Sequence, residues 1–128
     1  MDSIGDFLTI IRNGVMTSRP FVIAPFSRMR LNIAQVLLDE GFIREVSVIE
    51  TEGKKQIKLL LKYVDGESVI HEIKRISTPG RRMYAGSKNF KPVIGGLGVS
   101  IVTTSRGVMT DKQAKQSVVG GEVVCTVW

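Results

Sequence analysis

The 128-residue sequence predicts an α+β fold of two small domains: an N-terminal α-β-α-β-β unit over residues 1–65, and a C-terminal β-rich unit with one short helix over residues 66–128. Three observations carry that prediction. Apolar residues make up 43% of the chain, enough for packed cores. Their spacing is helical in two stretches of the first half and strand-like elsewhere. The polar, glycine-containing run Val64-Asp65-Gly66-Glu67-Ser68 interrupts both patterns and places the boundary.

Each element has a local reason. Ser3-Ile4-Gly5-Asp6 predicts a helix start, with Ser3 as cap and Asp6 at the third helical position. Ile4, Phe7, Leu8, Ile11 and Val15 then share one helical face, and Arg19-Pro20 ends the pattern. Phe21-Val22-Ile23-Ala24 is short, apolar and bounded by prolines, which predicts a strand. Ser27 is positioned to cap a second helix with Met29, Ile33, Val36 and Leu37 on its buried stripe, and Gly41 stops it. Strands are predicted over 43–50 and 56–63, with a turn at Thr51-Glu52-Gly53-Lys54.

In the second half, residues 69–76 alternate as a strand does. Ser77-Thr78-Pro79-Gly80 predicts a turn in which Pro presets one torsion and Gly takes a positive one. A short strand over 81–84, an irregular loop over 86–92 and a strand over 98–104 follow. Thr110 is placed to cap a short helix over 111–117, and Gly120-Gly121 opens a last strand over 122–128.

Several function classes are disfavoured. One cysteine, Cys125, cannot form an intramolecular disulfide, and with one histidine, His71, soft ligands are too few for a Cys/His zinc site. The longest near-apolar stretch, 93–102, is about half of what a membrane-spanning helix needs. No signal peptide is visible at Met1-Asp2-Ser3, so a soluble intracellular protein is expected. Catalysis finds little support. His71 reads as a solvated or hydrogen-bonded strand residue, and Cys125, between Val124 and Thr126, as a core cysteine. Gly95-Gly96-Leu97-Gly98 lacks the spacing of a dinucleotide or P-loop motif and reads as a tight turn or backbone crossing. No enzyme activity, cofactor, metal or small-molecule substrate is therefore expected.

Charge is more informative. Lys and Arg number 18 against 12 acids, a net charge of +6. Residues 73–110 contain no Asp or Glu but carry Lys74, Arg75, Arg81, Arg82, Lys88, Lys91 and Arg106. These form a positive face unless acids from elsewhere fold over them. Tyr84 and Phe90 stand among the bases, as aromatics that stack on unpaired nucleotides do, although a lone tyrosine equally often caps a core. Thr103-Thr104-Ser105-Arg106-Gly107 places three hydroxyls, a cation and a glycine at a strand end. Hydroxyls reach phosphates, sugars and base edges, and glycine lets backbone approach closely.

These segments have a family likeness. Gly96-Leu97-Gly98, Thr103-Thr104-Ser105-Arg106-Gly107-Val108-Met109-Thr110-Asp111 and Gly120-Gly121-Glu122-Val123-Val124-Cys125 resemble the C-terminal signature of the bacterial small-subunit ribosomal protein S8 family. Asp6-Phe7-Leu8-Thr9-Ile10-Ile11-Arg12-Asn13-Gly14, Asp39-Glu40-Gly41-Phe42-Ile43 and Thr78-Pro79-Gly80-Arg81-Arg82-Met83-Tyr84 extend the resemblance over the whole chain. It implies a non-enzymatic protein that binds the central domain of small-subunit ribosomal RNA and supports its assembly, in the cytoplasmic ribosome or an organellar equivalent, beside neighbouring small-subunit proteins. The implied RNA-binding residues are Thr103, Thr104, Ser105, Arg106, Gly107, Gly120, Gly121, Glu122, Tyr84, Arg81 and Arg82 in the C-terminal unit, and Ser27, Arg28 and Arg30 at the start of the second helix. Family members often carry a basic residue where this chain has Ile10, a serine where it has Thr103, and a lysine where it has Arg106. The alternatives are a protein-interaction module within a ribonucleoprotein, or a translational repressor that binds a messenger mimic of the ribosomal site.

Overall fold

The computed structural model describes residues 2–128, which form two compact units, Ser3–Ile70 and His71–Trp128, with Asp2 belonging to the second. No described helix is long and apolar enough to cross a membrane.

The first unit contains α1 (Ser3–Met16), β1 (Phe21–Pro25), α2 (Arg28–Asp39), β2 (Ile43–Thr51), β3 (Lys54–Leu61), β4 (Tyr63–Val64) and β5 (Glu67–Ser68). The antiparallel sheet runs β1-β3-β2, and β4 pairs with β5 in a separate two-stranded hairpin. The periodicity that predicts the helices also supplies the core: Phe7, Leu8 and Ile11 of α1, Ile33 and Leu37 of α2, and Ile57 and Leu59 of β3 are fully buried. α1 begins at Ser3 itself, so that serine stands in the first turn rather than ahead of it.

α2 is bounded as its sequence predicts. The Ser27 hydroxyl accepts from the Arg30 amide at 3.1 Å. At the other end Gly41 takes φ +81°, its amide donates to Leu38 O and the Phe42 amide to Leu37 O, the paired bonds of a Schellman stop.

The β2–β3 turn falls on the predicted Thr51-Glu52-Gly53-Lys54, and β3 begins two residues earlier than predicted. Glu52 and Gly53 both take positive φ (53° and 78°), so the chain reverses in two residues and β3 starts at Lys54. Tyr63 therefore falls outside β3 and pairs in β4 with Ser68. The hairpin occupies the polar run that marks the boundary in the sequence, and the Val69 amide donates to Lys62 O, so the compact unit extends to Ile70 rather than Asp65.

The second unit contains β6 (Ile73–Arg75), β7 (Tyr84–Ala85), a 3-10 turn at Ile94–Gly96, β8 (Val99–Thr104), β9 (Gly107–Thr110), α3 (Asp111–Gln116) and β10 (Gly121–Val127). Its antiparallel sheet runs β6-β10-β8-β9, and β7 also pairs with β10. Ile101, Val102, Val124, Cys125 and Val127 of the sheet and Ala114 of α3 are buried. Thr110 caps α3 through a capping box: its hydroxyl accepts from the Gln113 amide while the Gln113 side chain accepts from the Thr110 amide.

Three predictions are corrected in this unit, the first being the strand over 81–84, which forms instead at Tyr84–Ala85. The strand read over 69–76 shrinks to three residues, because the His71 and Glu72 amides both donate to Trp128 O and the chain is not yet extended there. His71 stacks on Trp128 instead, with ring centroids 5.3 Å apart. At the Thr78–Arg81 turn Gly80 keeps a negative φ, so no positive torsion is used. β9, which the sequence leaves unassigned, pairs with β8 from Ile101 to Thr104. The 95–98 glycines do form a turn and crossing: Gly95 and Gly96 take φ 61° and 95°, and a Cβ on Gly98 would lie 2.6 Å from Val127 O.

Candidate nucleic-acid interface

The hydroxyl cluster sits on a tight hairpin. Thr104 and Gly107 are the last pair of β8 and β9, leaving Ser105 and Arg106 as the two turn residues. The positive torsion the turn needs falls on Gly107, at φ +112°. The Thr104 hydroxyl donates to Gly107 O at 2.9 Å and accepts from the Arg106 amide at 3.0 Å. It therefore fastens the turn. Ser105 and Arg106 are exposed, and no described residue hydrogen-bonds the Ser105 hydroxyl.

The register brings the other C-terminal residues to the same end of the sheet. Tyr84 of β7 pairs with Glu122 of β10, and Glu122 pairs with Thr103 of β8. Register partners point to one face, so these three form a row across three strands. At the usual interstrand spacing the Tyr84 backbone is roughly 10 Å from that of Thr103. Tyr84 is 71% exposed, far more than a tyrosine that caps a core.

Gly120 and Gly121 make this convergence possible. A Cβ on Gly120 would lie 2.6 Å from Ala85 O and 2.9 Å from Gly86 Cα. One on Gly121 would collide with the Thr103 carbonyl oxygen. Their lack of a side chain thus serves the packing of β10 between β7 and β8.

Glu122 is engaged internally. Its Oε2 accepts from the Ser77 hydroxyl at 2.5 Å and from Arg82 Nη1 at 3.1 Å, while Ser77 Oγ accepts from the Met83 amide at 3.1 Å. The fully buried Ser77 and the carboxylate together fix the segment that carries Arg82 and Tyr84. Sequence reasoning passed over Ser77 because its partner stands 45 positions away and no local pattern marks it.

The acid-free window is thus only partly unneutralised. Glu122 pairs with Arg82, and Asp2 pairs with Arg75 at 3.1 Å. Arg75 also donates to Val124 O, so it serves as an internal brace. Lys74, Arg81, Lys88, Lys91 and Arg106 are exposed, with no acidic partner among the described residues. Cys125 is fully buried, and burial pushes its thiol up to about 12 against a smaller opposing pull from Arg75, so it is an inert core residue.

The N-terminal candidates differ from one another. Ser27 is occupied as the α2 cap. Arg30 donates to Ser3 O at 3.3 Å and Pro25 O at 3.1 Å, which clamps the loop before the helix. Arg28 is exposed at the first helical position. They lie in the first unit, apart from the β8–β9 hairpin in the sequence and in the sheet.

Fold and site together define a class: a small basic α+β protein whose C-terminal sheet gathers a hydroxyl-bearing hairpin tip with its exposed Arg106 and an exposed tyrosine at one end. The chain belongs to the ribosomal protein S8 family, whose family model matches residues 2–128. It is 48% identical over 128 residues to the small ribosomal subunit protein uS8 of Nitrobacter winogradskyi, covering 99% of this chain and 97% of that one. It is 48% identical over 127 residues to the protein of that name from Marinobacter nauticus, with the same coverage. The protein of that name from Rhodopirellula baltica is 50% identical over 129 residues, covering 98% and 97%.

Proposed function

We propose that the chain is a structural constituent of the small ribosomal subunit, in the cytoplasm or an organelle, that binds the central domain of the subunit's RNA directly and supports its assembly beside neighbouring small-subunit proteins. The observation that carries this reading is the row Tyr84–Glu122–Thr103 ending at the exposed Ser105-Arg106 turn, in a chain about half identical to small-subunit proteins along nearly its whole length. The deep, narrow major groove of A-form RNA resists side chains, so recognition falls on bulges and splayed bases. A rigid hairpin tip with one free hydroxyl suits an irregular stem. The cations neutralise phosphate without choosing a sequence. Arg28, beside the helix N-terminus that Ser27 caps, supplies a second phosphate contact.

The test separates specificity from affinity. Ser105→Ala removes the hydroxyl with little change in shape and is expected to cost roughly 1–3 kcal/mol on cognate RNA only. Arg106→Ala is expected to weaken cognate and unrelated RNA alike and to reduce the salt slope by about one. For the unaltered chain, four to six neutralised phosphates give a log–log salt slope of about −3 to −5. An unchanged cognate-to-unrelated ratio in stably folded Ser105→Ala sinks the assignment of the hairpin.

A further inference from the structure

A groove of about 390 Å³ opens beside Tyr84 in the second unit. Tyr84 and Phe90 are among its walls, with Asn89 and Lys91, and Ser100 and Thr126 are on its lining. Ser100 and Thr126 are register partners on β8 and β10, so their side chains rise from adjacent strands on one face. Ser100 is only 5% exposed, and its amide donates to Asp111 Oδ1. No buried side-chain oxygen or nitrogen lacks a partner among the described residues, and the Ser100 and Thr126 hydroxyls belong to the groove lining, where a ligand can meet them.

We propose that this groove takes one unpaired RNA base, stacked against Phe90, with the Ser100 and Thr126 hydroxyls and the Asn89 amide on its polar edge and Lys91 on a flanking phosphate. Three features select this occupant. The wall offers an aromatic face at Phe90, which binds any base. The floor offers donors and acceptors that an apolar protein side chain would leave unsatisfied. The rim is cationic: Lys88 and Lys91 are exposed, Glu122 is already paired with Arg82, and the Asp111 carboxylate is buried and holds the Ser100 amide. The proposal deepens the RNA-binding reading and rests on it for the source of the base, adding a base-reading site separate from the 103–107 hairpin.

The test uses the full chain. Adenosine and uridine 5′-monophosphate are titrated to millimolar concentration while amide resonances are followed. Movement of Asn89, Phe90, Ser100 and Thr126, with residues 103–107 still, is expected. Ser100→Ala keeps shape and backbone bonds and should weaken nucleotide binding about 2- to 10-fold, the loss of one hydrogen bond. Phe90→Leu should weaken binding to small-subunit RNA about 5-fold or more. Photo-crosslinking to 4-thiouridine-substituted RNA should mark Phe90.

Still groove amides at millimolar nucleotide overturn the proposal. So do full RNA affinity in both folded variants, crosslinks confined to 103–107, or groove protection in isolated particles that survives RNA digestion, which would identify a protein occupant. If the unaltered chain does not hold small-subunit RNA, the proposed function falls separately, and the mononucleotide titration decides the groove alone.

Discussion

Replacing Gly121 with alanine tests the packing logic of the sheet end, and Gly80→Ala is its control. Gly121 keeps a negative φ, so an alanine there carries no torsional strain. Its Cβ would nevertheless collide with the Thr103 carbonyl oxygen, and would lie 3.0 Å from that carbonyl carbon and 3.1 Å from Thr104 Cγ2. Backbone cannot swing aside as a side chain can, so β8 and β10 must part where Gly121 pairs with Thr104. Overpacking of this kind costs about 1–3 kcal/mol, and a weakened cross-strand hydrogen bond adds about 1 kcal/mol. The sum, about 2–4 kcal/mol, lowers the melting temperature by roughly 8 °C or more for a domain of this size. Gly80 also has a negative φ but nothing within 4 Å of its would-be Cβ. Alanine there restricts the unfolded chain and should be neutral or stabilising by about 0.4–1 kcal/mol. Differential scanning calorimetry of the two variants decides. Equal melting temperatures refute the steric account. A loss at Gly80 equal to that at Gly121 would restore the positive-torsion turn that the sequence suggests.

Three further outcomes are expected. The Cys125 thiol, raised to about 12 against an ordinary value of 9.0, stays neutral in the folded state while the unfolded chain ionises. Its contribution is present below pH 9 and is lost as pH rises towards 12; urea titrations at rising pH should show an alkaline slope that Cys125→Ala removes. Ser27→Ala deletes the α2 cap and should cost about 1 kcal/mol, read as a lower urea midpoint at unchanged m-value. Glu122→Gln releases Arg82 from a half-exposed pair, so stability should fall by no more than about 1 kcal/mol. The RNA salt slope should steepen by about one, and a shallower slope would contradict the pairing.

What the sequence makes legible follows the range of the interactions. Phe7, Leu8 and Ile11, the Ser27 cap, the Gly41 stop and the Thr110 cap are local patterns, and each forms where its pattern lies. β4 and β5 are two-residue strands, too short to alternate, so a polar run conceals them. β9 hides in Gly107–Thr110, where glycine and a helix-capping threonine mask a strand. The acid-free window misleads for the same reason: Asp2 and Glu122 reach Arg75 and Arg82 across 73 and 40 positions, which no local charge count registers. The hydroxyl cluster is visible in the sequence, but which of its hydroxyls is free depends on the turn, and the turn is set by Gly107.

That dependence bears on how the site works. Thr104 is bound into the turn, Gly120 and Gly121 give way to neighbouring backbone, and Glu122 holds Ser77 and Arg82. The side chains left outward at this sheet end are Ser105, Arg106 and Tyr84, carried on backbone whose hydrogen bonds are already made. A surface so arranged has little conformational freedom to lose on binding, and preorganisation converts more of each contact into affinity. It also cannot adapt. On the proposed function, a hairpin held by the Thr104 bonds and paired with β10 through Gly121 would select the RNA whose bulge matches its shape, and the exposed lysines would grip any phosphate within reach. Rigid tip and flexible cations would then divide the labour: one discriminates, and the other attracts.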